Sequence, residues 1–502
     1  MLTRARLLTV LLALTAVAGV TAASSARPDA APSAASARPS FVVIMTDDQT
    51  YEDMAAMPLT KRLIGDAGAT FTRSYVSYPL CCPSRATYLT GQYSHNNGVQ
   101  SNTPPNGGFE ALDGQHTLPV WLRAAGYDTS HIGKYLNGYD RRDPEEIPPG
   151  WTEWYAPVNR STYSLFDYEL NENGETVSYG HEASDYQTDV FADKAVDFIQ
   201  RRSGDEDPFF LSFQPTAPHA ESNRPASPDP RPAPRDEGSA DEEPLPRPPA
   251  FNERDVGDKP RLVTRRERFS SETESALKRR YRDRLASLRA VDDAVGRIVG
   301  ELERTGELAS TVLIFHSDNG YLHGEHRLTG KVRLYEESTH VPLVISGPGF
   351  PRGEHRDQLV ANIDLAPTIV DLTGAEPGHL MDGRSLAPLA RNEKQGRGRD
   401  VVLETERARG LRTPRFLYIR HPSRGERELY DLKRDPHQLQ SRHEDGDYSK
   451  VLDSMRSRLD GLRRCAGLEH CGAPRDKTLL GGSTRVAQSS SNAGSQRVTD
   501  QP

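Results

Sequence analysis

Residues 41–46, FVVIMT, form a continuous apolar run that stops at the acidic pair Asp47 and Asp48. A run too short for a helix and closed by polar residues predicts a strand buried on both faces. The same pattern recurs. TSHIG (129–133) ends at Lys134, PFFLSF (208–213) leads into Pro218 and His219, TVLIF (311–315) runs into Ser317, Asp318 and Asn319, and VPLVIS (341–346) ends in a Gly-Pro-Gly turn. Within residues 271–304, Leu277, Tyr281, Leu285, Leu288, Val291, Val295, Ile298 and Leu302 follow helical spacing, with Gly306 as the stop. Strands alternating with helices predict an α/β fold, a large and mostly parallel sheet sandwiched by helices. Ligands in such sheets bind beyond the carboxyl ends of the strands, so the polar residues collected there are site candidates.

Residues 221–262, dense in proline and charge, cannot build a core and read as a long irregular excursion after His219. A smaller α+β unit is expected over residues 395–475, with FLYIRH (416–421) and ELYDL (428–432) as strands, followed by a tail at 476–502 whose composition reads as disordered. At the other end, the basic MLTRAR, the apolar stretch Leu7 to Val20 and the small-residue run TAASSA predict a secretory signal peptide over residues 1–26. A Pro/Ala/Ser linker at 27–39 then leads to a main domain at 40–394. The apolar stretch has 14 residues. That is below the roughly 20 needed to span a bilayer, so the mature chain is expected to be secreted with no membrane anchor.

The formal net charge is -8, and loss of the signal with Arg4 and Arg6 makes it -10. That balance argues against nucleic acid as a partner; an anionic substrate would need a local group of cations or a metal. Of the four cysteines, Cys465 and Cys471 are spaced for a small disulfide in an exported chain, which leaves Cys81 and Cys82 without partners.

Those two stand in LCCPSRATYLTG (80–91). Proline near the start and glycine at the end predict a short helix from Pro83 to Gly91, with Cys81 just outside its amino end, where free amides favour negative charge. Arg85, one turn in, adds a permanent cation whose fork suits sulfate or phosphate. Read alone, the cysteine is either a site residue or a structural or redox thiol. Asp47, Asp48, Asp318 and Asn319 offer hard oxygen ligands at two strand ends, suited to Ca²⁺ or Mg²⁺; alone, an Asp pair after a strand is more often a cap or turn.

CCPSRATYLTG resembles the signature of the sulfatase family, Cys-x-Pro-Ser-Arg followed by a helix ending Leu-Thr-Gly, and its spacing selects Cys81. GYDTSHIGKYL (126–136), ending on Lys134, is similar to the family's other signature, and the resemblance spans roughly residues 40–470. It implies an alkaline-phosphatase-like fold. It also implies that a separate formylglycine-generating maturation enzyme oxidises Cys81 to the aldehyde formylglycine, and that Asp47, Asp48, Asp318, Asn319 and the modified Cys81 hold Ca²⁺, with Mg²⁺ possible. Arg85, Lys134 and Lys331 would bind the sulfate group of a sulfated saccharide, and His219 would protonate the departing sugar oxygen.

Many arylsulfatases have Gly-Lys-Trp-His where this chain has Gly-Lys-Tyr-Leu, so Leu136 occupies the place of a histidine base. GKYLNGY (133–139) with PPGWTEWY (148–155) is similar instead to the glucosamine-6-sulfatase branch, including extracellular endosulfatases. Asn137 then either contacts substrate or orients the nucleophile, or is a turn residue before Gly138. His131 reads as a core residue or one that supports the site residues from behind, and His316, His323 and His326 have no standard zinc spacing. The implied reaction is hydrolysis of 6-O-sulfate on N-acetylglucosamine or glucosamine units. The rival readings are a broad arylsulfatase, a phosphonate or phosphodiester hydrolase of the same superfamily, and a glycan-binding protein without activity.

Overall fold

The computed structural model describes residues 38–221 and 229–472. The expected signal peptide, residues 27–37 of the linker and the tail at 476–502 lie outside the described residues.

Ten strands make one sheet. They are β1 (Ser40–Thr46), β2 (Gly68–Phe71), β3 (Asp128–Gly133), β4 (Glu153–Val158), β5 (Tyr168–Glu172), β6 (Glu175–Tyr179), β7 (Phe209–Gln214), β8 (Thr311–Ser317), β9 (Leu343–Ser346) and β10 (Glu354–Arg356). Across the sheet the order is β10-β2-β9-β8-β1-β7-β3-β4-β5-β6. The central run β8-β1-β7-β3-β4 is parallel throughout. Toward the edges β9, β5 and β6 pair antiparallel. Registers Thr46↔Ser317 and Ile44↔Phe213 align the ends of neighbouring central strands.

Every residue of β1 is buried, because the strand feeds two separate cores. Phe41, Val43 and Met45 point to one face, where α1 (Cys81–Thr90), α2 (Leu118–Ala124) and α5 (Leu365–Thr373) pack. Val42 and Ile44 point to the other, against α3 (Gln187–Arg202) and α4 (Ser271–Thr305). Two apolar faces at a side-chain period of two explain the unbroken run FVVIMT. The apolar stripe predicted on α4 is the stripe it buries, and Gly306, with φ 81°, ends the helix in the left-handed region.

Four further strands form a separate antiparallel sheet, β11 (Val401–Glu404), β12 (Arg409–Arg412), β13 (Phe416–His421) and β14 (Glu426–Asp431). Helix α6 (Ser449–Leu462) contributes Met455, Leu459 and Leu462 to its core, which also takes in Tyr75, Leu334 and Tyr335 of the main body. The disulfide Cys465–Cys471 is formed, with Cα atoms 5.2 Å apart. The described part of the 221–262 excursion is largely irregular, yet Asn252 and Glu253 are buried in it and His326 Nδ1 pairs with Glu253 at 2.7 Å.

Candidate active site

Four adjacent parallel strands end on one side of the sheet, and each delivers polar groups there: β8 leads to Asp318 and Asn319, β1 to Asp47 and Asp48, β7 to His219 and β3 to Lys134. The turns are tight. Asp48 sits at φ 71°, a left-handed conformation that aspartate tolerates better than most residues, and its amide donates to Asp318 Oδ1 at 3.1 Å. Gly133 sits at φ 113°, where a Cβ would come within 2.1 Å of the Gln214 carbonyl oxygen, so only glycine lets β3 run beside β7 up to Lys134.

Helix α1 supplies the rest. It begins at Cys81 with Leu80 as its extended N-cap, so Cys81 lies inside the first turn and not just outside the amino end, and Pro83 is the third helical residue. Proline is accepted there because the first amides of a helix have no partner within it. Cys81 Sγ accepts from Lys331 Nζ at 2.8 Å and donates to Asp47 Oδ1 at 3.6 Å. Arg85 Nε donates to Asp318 Oδ2 at 2.8 Å, and its Nη1 donates to the Lys134 carbonyl at 2.8 Å and Gln214 Oε1 at 2.7 Å. Its Nη2 is buried with no partner.

Lys134 pairs with Asp47 Oδ2, and Lys331 with Asp48 Oδ1. Asp47, Asp48, Asp318, Arg85 and Lys134 are all buried, whereas the side chains of His219 and Lys331 are 20% and 16% exposed. Of these seven side chains, His219 and Lys331 are the two that reach solvent. Burial opposes the charge on Asp47, but Lys134, His219 and Lys331 outweigh it and hold the carboxyl at about 2. Asp48 also lies at about 2, burial again opposed, here by Lys331, His219 and Arg284. Burial and then Asp47 push the Cys81 thiol up to about 11, so the unmodified side chain is a neutral thiol and a poor nucleophile.

Three carboxylates here face three permanent cations, Arg85, Lys134 and Lys331. A divalent ion would leave the site net positive, which favours an anionic ester. The residues fit such an ion. Ligand atoms of Asp47, Asp48, Cys81 and His219 all lie within 4.8 Å of one another. Asn319 Nδ2 donates to Asp48 Oδ1 at 2.6 Å, which leaves Asn319 Oδ1 buried without a partner. An orphaned amide oxygen beside carboxylates suits a hard cation.

His219 Nδ1 pairs with the Ala220 carbonyl at 2.7 Å, so its Nε2 faces the site, 3.7 Å from Asp48 Oδ2. Burial lowers its pKa. Its ring stacks on Tyr163 with centroids 4.1 Å apart, and Lys134 Nζ lies 4.8 Å from the same ring. Asn137 Nδ2 donates to Tyr163 Oη at 2.9 Å, placing Asn137 at the site wall. Leu136 is 2% exposed and belongs to the core cluster with Tyr135, Trp154 and Leu89, so the position read as a missing base faces the core. His131 stacks on Trp154 at 4.6 Å, and burial drives it down to about 3, a neutral core residue. His316 pairs with the Pro342 carbonyl, His323 Nε2 lies 3.9 Å from Asp53 Oδ1 and His326 pairs with Glu253, so each of the three histidines has its own partner.

Three contributors escaped the sequence reading. Gln214 holds Arg85, Tyr163 backs His219 and Lys134, and Arg284 of α4 donates to the Pro218 carbonyl at 3.0 Å and to the Asp48 carbonyl. Only Gln214, the polar residue that ends an apolar strand, carried a local signal.

Two family models match the chain: "Sulfatase" over residues 39–375 and "N-sulphoglucosamine sulphohydrolase, C-terminal" over 324–465. The N-acetylglucosamine-6-sulfatase of Homo sapiens is 37% identical over 390 residues, covering 73% of this chain and 69% of that protein. The enzyme of the same name from Capra hircus is 34% identical over 492 residues, covering 88% and 86%. A solved structure in complex with its substrate D-glucosamine-2-N,6-O-disulfate matches with TM-score 0.69 and 26% identity, covering 84% of this chain and 97% of that one.

Proposed function

The chain belongs to the sulfatase family, and from that premise we propose that it hydrolyses sulfate monoesters of sugars, with the 6-O-sulfate of N-acetylglucosamine or glucosamine units in glycosaminoglycans as its target. The observation that carries the reading is the meeting of Cys81 Sγ with Lys331 at 2.8 Å, beside Asp47 and Asp48, in a chain whose relatives are N-acetylglucosamine-6-sulfatases. In this reading Sγ marks the place of the nucleophilic oxygen. Oxidised to formylglycine by a maturation enzyme, position 81 would supply a hydrated aldehyde: one hydroxyl attacks sulfur as the bond from sulfur to the sugar oxygen breaks, and the second then loses its proton, expels sulfate and restores the aldehyde, chemistry a neutral thiol lacks.

Asp47, Asp48, Asn319 and Asp318 would hold the divalent ion, Ca²⁺ in our reading. When bound, such an ion polarises a sulfate oxygen and acidifies a nearby hydroxyl. The other roles follow from position. Lys134 and Lys331, together with the unpartnered Nη2 of Arg85, meet the sulfate oxygens and stabilise charge that grows on them. His219, at the mouth with Nε2 inward, donates a proton to the departing sugar oxygen. Tyr163 keeps its ring in place. Gln214 and Asp318 fix the plane of Arg85. Arg284 is a positioning residue that ties the turns after β1 and β7 together.

We place the mature protein outside the cell on the strength of its amino-terminal segment. No helix among the described residues is long and apolar enough to cross a membrane.

Sulfate release from defined 6-O-sulfated and N-sulfated glucosamine saccharides, beside an aryl sulfate and a phosphodiester, tests the reading. Preferred turnover of a 6-O-sulfated sugar is expected. Preference for the aryl sulfate would leave a broad arylsulfatase, preference for the phosphodiester would remove the sulfatase assignment, and glycan binding without sulfate release would remove the activity.

A further inference from the structure

The loop that carries Lys331 bends at Val332, whose φ of 67° puts a β-branched residue in the left-handed region. The Pro79 carbonyl holds its amide at 3.0 Å. Strain of this kind persists only where the surroundings enforce it, and here the bend separates two cations. Lys331 turns to Cys81 and Asp48, whereas Arg333 lines a cavity of about 410 Å³ together with Arg407 and Arg424. Arg333 Nε is buried with no hydrogen-bond partner. Burial, with Arg266 and Arg407 nearby, depresses its guanidinium.

The same Arg407 and Arg424, with Glu406, Ala408 and Ser423, also line a second cavity of about 960 Å³ that reaches Arg463 and Arg464. Arg407, Arg424, Arg463 and Arg464 are exposed, and none has a carboxylate partner among the described residues. Other charges on this wall are already matched. Arg409 pairs with Glu404 at 3.3 Å, Arg420 with Asp460 at 3.1 Å, and Glu428 with His421, Tyr335 and Tyr430, leaving Glu406 as the carboxylate that offsets the row. A chain of net charge -8 thus keeps a group of guanidinium side chains offset by Glu406, and the first of them, Arg333, stands two residues along the chain from Lys331. Guanidinium forks match sulfate and carboxylate in geometry, and a row of them matches a chain that repeats such groups.

Resting on the sulfatase reading above, we propose that this arginine groove binds the non-scissile sulfates and carboxylates of a sulfated glycan whose scissile sulfate lies at Cys81. The groove makes multiply charged oligosaccharides better substrates than small sulfate esters. Its affinity is electrostatic and falls with added salt.

The test is an Arg407→Ser, Arg424→Ser double variant assayed on a heparin-derived tetrasaccharide carrying N- and 6-O-sulfates and on an aryl sulfate. On the tetrasaccharide, kcat/KM should fall roughly tenfold at low ionic strength, mainly through KM, as expected for two exposed charge-assisted contacts. The deficit should shrink with salt, and aryl sulfate turnover should be unchanged. An unchanged kcat/KM on the tetrasaccharide would overturn the proposal, as would an equal loss on both substrates. Tighter binding of single-stranded DNA or anionic phospholipid vesicles than of the tetrasaccharide would also overturn it. If wild-type protein hydrolyses neither ester the sulfatase reading fails, and calorimetric binding of the tetrasaccharide to wild type and variant still decides the groove.

Discussion

Lys134 is the cation with the most to lose. Its side chain is 1% exposed, pairs with Asp47 Oδ2 and lies 3.8 Å from Asp318 Oδ2. At an effective dielectric near 20, attraction to Asp318 alone is about 4 kcal/mol before the cost of burying the ammonium. Replacing Lys134 with methionine keeps most of the volume and leaves Asp47 buried beside one fewer cation. Breaking a buried pair in this way typically costs about 3–5 kcal/mol. Urea unfolding of Lys134→Met in ion-free buffer should show a loss of that size, and millimolar Ca²⁺ should stabilise the variant more than the wild type, since the ion replaces the missing charge. Turnover should fall by roughly 10²–10³, the usual effect of removing one group aimed at transition-state charge. A stability loss below about 1 kcal/mol, the value for exposed pairs, would refute the buried-pair reasoning.

The acid limb of stability should report Asp47 and Asp48. Both have folded pKa values of about 2 against 3.8, so their contribution is complete above pH 4 and is lost as the pH falls through 2. At about 1.4 kcal/mol per pKa unit this is about 2 kcal/mol each, and Asp48→Asn should remove about that much of the acid loss seen in ion-free denaturant titrations. Leu136→His should cost about 2–4 kcal/mol by placing an imidazole in the core, with no gain in aryl sulfate turnover; a gain would mean that the position faces the site after all. His219→Ala should lower kcat/KM for sugar sulfates by about 10²–10⁴ and spare aryl sulfates with acidic leaving groups. Equal losses on both would remove the proton-donor role.

What the chain disclosed before folding depended on how local the signal was. The runs before Asp47, Lys134, His219 and Asp318 are strands in the structure, and because those strands are parallel neighbours their polar ends converge. The stripe on α4 was equally local. Strands β11 and β12 were missed because VVLE and RGLR are short, and the second is half arginine. Their burial comes from partners far along the chain. The start of α1 was misread because proline was assigned to the first helical position, whereas it stands third. Arg284 and Tyr163 had no local mark at all. One arginine among several on a helix and a tyrosine in a loop reach the candidate site only through contacts made across the fold.

Catalysis as proposed turns on the side chain at position 81. Mass spectrometry of the peptide spanning it, taken from protein that releases sulfate, tests this directly. The peptide should be lighter by the difference between a CH₂SH and a CHO group, and it should react with a hydrazide. Protein of full activity whose position 81 carries only the intact thiol would contradict the account.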